Sequence, residues 1–293
     1  MFQLSIIIPH YNSSESLRDL LFSIPVNKVI EVIVVDDNSY PLLPNSLIND
    51  NKHVKFIKNT RGKGAGGARN TALKVASGRW LVFADADDYF VTDGINKILS
   101  AIREAKAEDI IFFVPCSTYS GTDKSASRHI KYKDLICEFL KEPSYNNNIK
   151  LLFSHYVPWS KVIKRKLVVD NEILFDETLI ANDGMFSAKC SLKSKEIKCY
   201  LDCVYNVTVS EGSLTQVKNI ELFRVRLEVF CRMYHYLPNN IKHIIGMSPL
   251  ALIYMSRIYG IKEVFRSIKY ILDNKVSFFK YLNANSIKRF YKR

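Results

Sequence analysis

Paired cysteines are missing from this sequence. Its six cysteines (Cys116, Cys137, Cys190, Cys199, Cys203 and Cys231) form no CxxC and show no close pairing with histidine. That excludes a disulfide framework or a zinc site as the organising feature. Long apolar runs are also missing. The stretch from Ile244 to Met255 is interrupted by Pro249, and a membrane-spanning helix needs about 20 apolar residues. The first residues, MFQLSIIIPHYN, carry no positive charge, and their apolar run stops at Pro9. They read as a first strand rather than a signal peptide. No internal repeat or low-complexity segment is visible. These absences predict a cytoplasmic protein, soluble or peripheral on the inner face of the cell membrane.

What is present is enough for a substantial core: 293 residues, 47% of them apolar, which excludes intrinsic disorder. The net charge of +13 is unevenly spread. From Lys218 onward there are 15 basic and 4 acidic residues, so the first 217 residues are close to neutral. A neutral body with a basic tail argues against a nucleic-acid-binding protein, and no nucleic-acid partner is expected. It divides the chain into residues 1–217 and a helical extension over 218–293.

The first half alternates strand and helix. Leu4–Ile8, Ile30–Val35, Val54–Ile57, Trp80–Ala84 and Ile110–Val114 read as buried strands, with helices over Ser14–Ile24 and Ala68–Ala76 and one capped at Thr92. This pattern predicts an α/β fold with a mixed, mostly parallel sheet flanked by helices. Polar residues follow three strand ends directly: His10-Tyr11-Asn12, Asp36-Asp37-Asn38-Ser39 and Asp85-Ala86-Asp87-Asp88. In open α/β sheets ligands bind beyond the carboxyl ends of strands, so the three endings predict one crevice. After about residue 115 the pattern becomes irregular, and from Asn219 it is helical.

Within the acidic run, strand alternation would put Asp85 and Asp87 on one side, where two hard carboxylates suit Mg²⁺ or Mn²⁺. A solvated helix-capping turn is the alternative. Gly62-Lys63-Gly64-Ala65-Gly66-Gly67 contains GxGxxG ahead of a helix, so an NAD(P)-binding oxidoreductase is a rival reading. Two strands with polar endings precede it, whereas that fingerprint normally opens the first βαβ unit. Arg69 could reach phosphate from its helix start, or form a surface ion pair. Trp159 and Lys161 are further candidate ligand-binding residues, with core packing as the alternative for tryptophan. His155, near Trp159, is assigned no role.

Taken together, Ser5-Ile-Ile-Ile-Pro9-His-Tyr11-Asn12, Val34-Val-Asp36-Asp37-Asn-Ser39, Ala68-Arg69-Asn70 and Gly78-Arg-Trp80-Leu-Val-Phe83-Ala-Asp85-Ala-Asp87-Asp88 resemble the family 2 glycosyltransferases in order and spacing. The resemblance continues through Val157-Pro-Trp159-Ser-Lys161, Phe175-Asp-Glu177 and Asn182-Asp183-Gly-Met-Phe186 to Glu211-Gly212-Ser213-Leu214. It implies a GT-A fold and inverting transfer of a hexose or N-acetylhexosamine from a nucleotide donor, expected to be a UDP-sugar. The implied acceptor is a hydroxyl of a glycan or lipid-linked glycan, in capsule, O-antigen or other surface-polysaccharide synthesis. It further implies that Pro9, Tyr11 and Glu15 cup the nucleoside, Asp37 accepts from the base, Asp85 and Asp87 hold the divalent metal, and Asp183 is the general base. The family's Glu-Asp pair is Asn182-Asp183 here, which leaves a non-catalytic nucleotide-sugar binder as a third reading.

The tail over 219–293 combines amphipathic stretches with Lys and Arg and ends Ser-Ile-Lys-Arg-Phe-Tyr-Lys-Arg. It is expected either to pack on the body or to meet an anionic membrane surface.

Overall fold

A computed structural model describes residues 1–210 and 218–283. The first half runs β1 (Leu4–His10), α1 (Ser14–Phe22), β2 (Ile30–Asp36), α2 (Asn45–Asp50), β3 (Val54–Lys58), α3 (Ala65–Leu73), β4 (Trp80–Phe83), β5 (Tyr89–Phe90), α4 (Gly94–Glu104) and β6 (Ile110–Tyr119). There follow α5 (Ile130–Lys141), α6 (Tyr145–Ser154), β7 (Lys161–Lys164), α7 (Arg165–Asp170), α8 (Asp183–Lys193) and β8 (Ile197–Val209). Four helices close the described chain: α9 (Ile220–Tyr236), α10 (Asn239–Ile245), α11 (Leu250–Ser256) and α12 (Ile261–Asp273). The Glu211–Leu214 motif and the final basic octapeptide lie outside the described residues.

The eight strands form one sheet in the order β3-β2-β1-β4-β7-β6-β8-β5. β1 is parallel to both β2 and β4, and β2 to β3. All seven residues of β1 are buried, as expected of a parallel strand covered on both faces. Beyond β4 the sheet is mixed: β7 is antiparallel to β4 and β6, β8 is parallel to β6, and β5 is antiparallel to β8. Strand alternation divides the core. Ile6, Ile8, Val32 and Val34 face one apolar cluster with Leu17 and Ile98 of α1 and α4, whereas Ile7, Ile33 and Val35 face another with Ala68 and Phe186 of α3 and α8.

The second cluster also contains Leu227, Cys231, Tyr234, Ile241 and Ile271, so the C-terminal helices share a core with the sheet. Arg224 of α9 clamps Glu263 of α12 through two hydrogen bonds of 3.0 and 2.8 Å. Arg232 of α9 grips Asp176 in the same two-pronged way.

Several boundaries differ from the sequence reading. α4 begins at Gly94 with Asp93, not Thr92, in the capping position. α3 runs Ala65–Leu73 rather than Ala68–Ala76, because Gly64 takes a φ of 111° and turns the chain into the helix there. β7 and β8 have no counterpart in the sequence pattern. β7 is only four residues long with Lys at both ends, and β8 is half-buried with polar residues along much of its length, so neither shows a buried-strand pattern.

Candidate active site

The ends of β1 and β2 are locked together by side chains. His10 Nε2 accepts from the Ser13 amide at 3.2 Å, so Nδ1 carries the proton and donates to Asp36 at 3.0 Å. Burial pushes the Asp36 carboxyl up, but hydrogen bonds from Ser39 and His10 outweigh it and hold the group below its ordinary value. The brace fixes the backbone on either side. Pro9 is buried within β1, Tyr11 is 50% exposed just beyond it, and Glu15 is exposed in the first turn of α1. Tyr11 carries the Lys63 ammonium 5.2 Å from its ring centroid.

Asp37, next to this brace, is buried, and both its oxygens accept at 2.6 Å: one from Asn59, the other from the Gly64 amide. On the other side of the glycine loop, Glu177 accepts from the Gly62 amide at 2.9 Å and from Asn70 at 3.2 Å. Those loop amides are therefore already committed to carboxylates and cannot cradle a pyrophosphate, which corrects the dinucleotide reading of Gly62–Gly67. The glycines answer to packing instead. A Cβ on Gly66 would lie 2.0 Å from the Asp176 carbonyl oxygen, and one on Gly67 1.8 Å from that of Gly62. Close passage of 176–182 over the start of α3 requires the first, and the loop's own return at Gly62 requires the second.

That passage builds the centre of the site. Arg69 is buried, and its guanidinium donates to Asp85 at 2.5 Å and to Asn182 at 2.9 Å. It thus joins the turn after β4 to the residue preceding α8. Asp183 is the first residue of that helix. Burial raises its carboxyl above the ordinary value, opposed first by the Arg69 charge. Asn182, in place of an acid, is the neutral acceptor for one arm of Arg69.

The acidic run is a turn rather than a strand. β4 ends at Phe83, and the Asp88 amide bonds back to the Asp85 carbonyl at 3.1 Å. Turn geometry, not the strand alternation that the sequence suggested, therefore sets where the Asp85 and Asp87 side chains lie. Asp87 keeps contact with solvent, while partial desolvation and then the charge of Asp85 raise its carboxyl. A carboxylate that resists ionising beside another is a fitting place for a cation. Among the described residues no three His, Cys, Asp or Glu side chains gather as a cage. A divalent ion at Asp85 and Asp87 would need substrate oxygens to complete its shell, the habit of Mg²⁺ with phosphates.

Asp88 is the buried brace of this turn. It accepts from the Tyr205 hydroxyl and the Thr208 amide, each at 2.8 Å, while Tyr205 accepts from the Asp85 amide at 2.8 Å. β8 thereby holds the acidic turn in place. No signal in the sequence separates the third aspartate from the other two.

Trp159 and Lys161 are fully interior, so neither lines an open pocket in this structure. Trp159 packs against Tyr132 with ring centroids 5.0 Å apart and stacks on Tyr205 at 6.2 Å. Lys161 donates to the His155 carbonyl at 2.9 Å and to Ser187 at 3.1 Å, and burial lowers its ammonium to about 8. His155 is buried among Phe112, Tyr132 and Trp159 with both ring nitrogens unpartnered, and burial keeps it neutral. The interior placement of Trp159 and Lys161 reflects β7 as a central strand, which the sequence did not disclose.

Comparison with known proteins accords with this arrangement. Residues 5–170 match the model of Glycosyl transferase family 2. An Escherichia coli UDP-Glc:alpha-D-GlcNAc-diphosphoundecaprenol beta-1,3-glucosyltransferase, WfaP, is 30% identical over 66% of this chain and 82% of its own. A Staphylococcus aureus poly(ribitol-phosphate) beta-N-acetylglucosaminyltransferase, TarS, is 27% identical over 72% of this chain, which spans 36% of that longer protein. The crystal structure of TarS residues 1–349 with UDP-GlcNAc superposes with a TM-score of 0.72 at 23% identity, covering 93% of this chain and 80% of that one. Strand order, the GT-A fold shared with that structure and the motif-bearing residues 5–170 lead to one conclusion: the chain belongs to glycosyl transferase family 2 and is a glycosyltransferase.

Proposed function

We propose that this protein transfers a sugar, with inversion, from a UDP-sugar to a hydroxyl of a glycan or lipid-linked glycan during bacterial surface-polysaccharide synthesis. The observation that carries the reading is the Arg69 bridge. It brings Asp85, after β4, and Asn182-Asp183, about a hundred residues later, to the two sides of one guanidinium. A transferase of this kind needs a site for the leaving diphosphate and, apart from it, a free carboxylate for the incoming hydroxyl. The WfaP relative is named for a UDP-glucose donor and a diphosphoundecaprenol-linked acceptor, which supports the donor and acceptor classes.

In this reading Tyr11 and Glu15 flank the nucleoside, whose base meets Asp37 where the β1–β2 brace holds the crevice floor. Asp85 and Asp87 would hold a Mn²⁺ or Mg²⁺ ion, which supplies neutralisation of the charge developing on the leaving diphosphate. Asp183 takes the proton of the acceptor hydroxyl as it attacks the anomeric carbon. Arg69 holds Asp85 in orientation and, through Asn182, the start of the helix that presents Asp183.

One face of α12 supports the membrane reading. No helix among the described residues is long and apolar enough to cross a membrane. On α12, Glu263, Ser267 and Ile271 face inward, while Ile261, Phe265 and Leu272 are 68%, 65% and 58% exposed. Lys262, Arg266 and Lys269 flank that outward apolar stripe. An apolar stripe bordered by cations suits the interface of an anionic bilayer, where each Lys or Arg contributes about 1 kcal/mol.

Calorimetric titration of UDP with and without Mn²⁺ tests the donor reading. Metal-dependent binding that Asp87→Ala abolishes is expected; equal binding in both proteins would remove the metal from this turn.

A further inference from the structure

Resting on the transferase reading, we propose that Arg232 of α9 is a positioning residue of the transfer. By clamping Asp176 it sets the segment that presents Asp183, so the C-terminal extension takes part in the reaction. Asp176, Asn182 and Arg232 all lie beyond residues 5–170, the stretch that matches the family model.

The segment leading into α8 adopts a backbone that its own sequence does not favour. Ala181, just before Asn182 and Asp183, has a φ of 54°, a left-handed conformation that a Cβ opposes. Such a conformation persists only where the surroundings hold it. Three of the contacts that do so come from residues 1–217. The Asp176 amide donates to the Asn182 carbonyl at 3.1 Å and closes the segment on itself. Arg69 donates to the Asn182 side chain at 2.9 Å. Asn70 pairs with both backbone groups of Phe175, at 2.9 and 3.0 Å.

The fourth contact comes from the C-terminal extension. Arg232 donates to both Asp176 oxygens, at 3.1 and 2.9 Å. The Asp176 side chain is only 13% exposed, and a carboxylate so shielded needs its donors. Glu228, one turn earlier on α9, lies 3.6 Å from the Arg232 Nε and orients the guanidinium. The next residue of α9 supports the other end of the segment. It runs so close to α8 that a Cβ on Gly184, the residue after the base, would lie 3.2 Å from the Met233 Sδ. Arg232 and Met233 thus hold the two ends of the passage from Asp176 to Gly184, with Asp183 between them.

Arg224 supplies the contrast. It makes an equally two-pronged clamp from the same helix, but on Glu263 of α12, at 3.0 and 2.8 Å. If α9 only packs on the body, loss of either clamp should act alike. If Arg232 positions the base, only its loss should reach turnover.

The test uses the full chain with Arg232→Gln, Arg232→Lys and Arg224→Gln. UDP release from UDP-glucose is followed with Mn²⁺ and an acceptor probe, N-acetylglucosamine α-diphosphate bearing a short alkyl chain. UDP titration, thermal unfolding and amide hydrogen exchange accompany it. Arg232→Gln should lower kcat about ten- to a hundredfold, the scale of a small misplacement of a reacting group. Its UDP affinity should stay within about twofold, because Asp37, Asp85 and Asp87 lie on other elements. Exchange of the amides over 176–183 should quicken. Arg232→Lys keeps the charge but not the two-pronged geometry, and should restore part of the turnover. Arg224→Gln should lower the unfolding midpoint while kcat stays near wild type. Wild-type kcat or unchanged exchange in Arg232→Gln overturns the proposal. An equal loss of kcat in Arg224→Gln also overturns it, because the helix would then act only through packing. A wild-type chain that neither binds UDP nor releases it from UDP-glucose removes the transferase reading itself, a result the exchange comparison keeps distinct from failure of the clamp.

Discussion

A single guanidinium sets the chemistry of the site at the scale of the residue. Asp183 is buried enough to be harder to ionise than an ordinary aspartate, and Arg69 is the largest influence in the opposite direction. In the proposed mechanism Asp183 must be ionised to act as base, so kcat/KM should fall with decreasing pH at a value above the usual aspartate range. Arg69→Gln removes the lowering charge and should move that acidic limb to higher pH; an unmoved limb would detach Arg69 from the base. Asp183→Asn keeps the shape but cannot take a proton at neutral pH. Turnover should drop by roughly 10²–10⁴ while UDP titration stays unchanged. Near wild-type turnover in that variant would place the base elsewhere.

Among elements, the approach of α3 to the segment before α8 is the tightest constraint. Gly66→Ala would drive a methyl group onto the Asp176 carbonyl, and overpacking of this kind costs about 1–3 kcal/mol. Because the displaced segment leads to Asn182 and Asp183, both the unfolding midpoint and turnover should fall. A stable but inactive protein would show that the segment moves without loss of packing. The α9–α12 clamp makes a separate prediction. Arg224 holds the Glu263 carboxyl below its ordinary value. Its stabilisation is thus fully present above the unfolded-state pKa and is lost as pH falls through the lower folded-state value. Glu263→Gln should destabilise the protein near neutral pH and flatten that part of its acid unfolding curve, read by circular dichroism across pH.

For the whole molecule, the shared core decides how the C-terminal helices can be studied. Removing them would uncover the apolar residues, Phe186 and Ala188 of α8 among them, that share a core with Leu227, Tyr234 and Ile271, so a chain ending before Asn219 should lose cooperative unfolding. Membrane contact is better probed from outside. Ile261→Asp with Phe265→Asp alters two residues that the fold leaves exposed, and should abolish flotation with anionic liposomes without changing the unfolding midpoint. Wild-type flotation should weaken as salt screens the flanking cations. Undiminished flotation of the double variant would leave α12 with a packing role alone.

The order of chemistry-bearing residues was legible in the sequence because strands buried on both faces are continuous apolar runs that stop where polar residues begin. Leu4–Ile8, Ile30–Val35 and Trp80–Ala84 therefore announced the parallel half of the sheet and the polar residues that follow its strand ends. The motif-bearing residues named the family for the same reason: their spacing records strand and loop lengths. Tertiary structure decided the rest. Whether a glycine loop cradles phosphate or lets another segment pass depends on Asp176 and Glu177, more than a hundred residues away. Trp159 and Lys161 are interior because β7 lies between β4 and β6, an antiparallel neighbour that no local pattern reveals. The Arg69 bridge likewise joins residues distant in the chain, and pairings of that kind follow from packing, which a linear pattern does not encode.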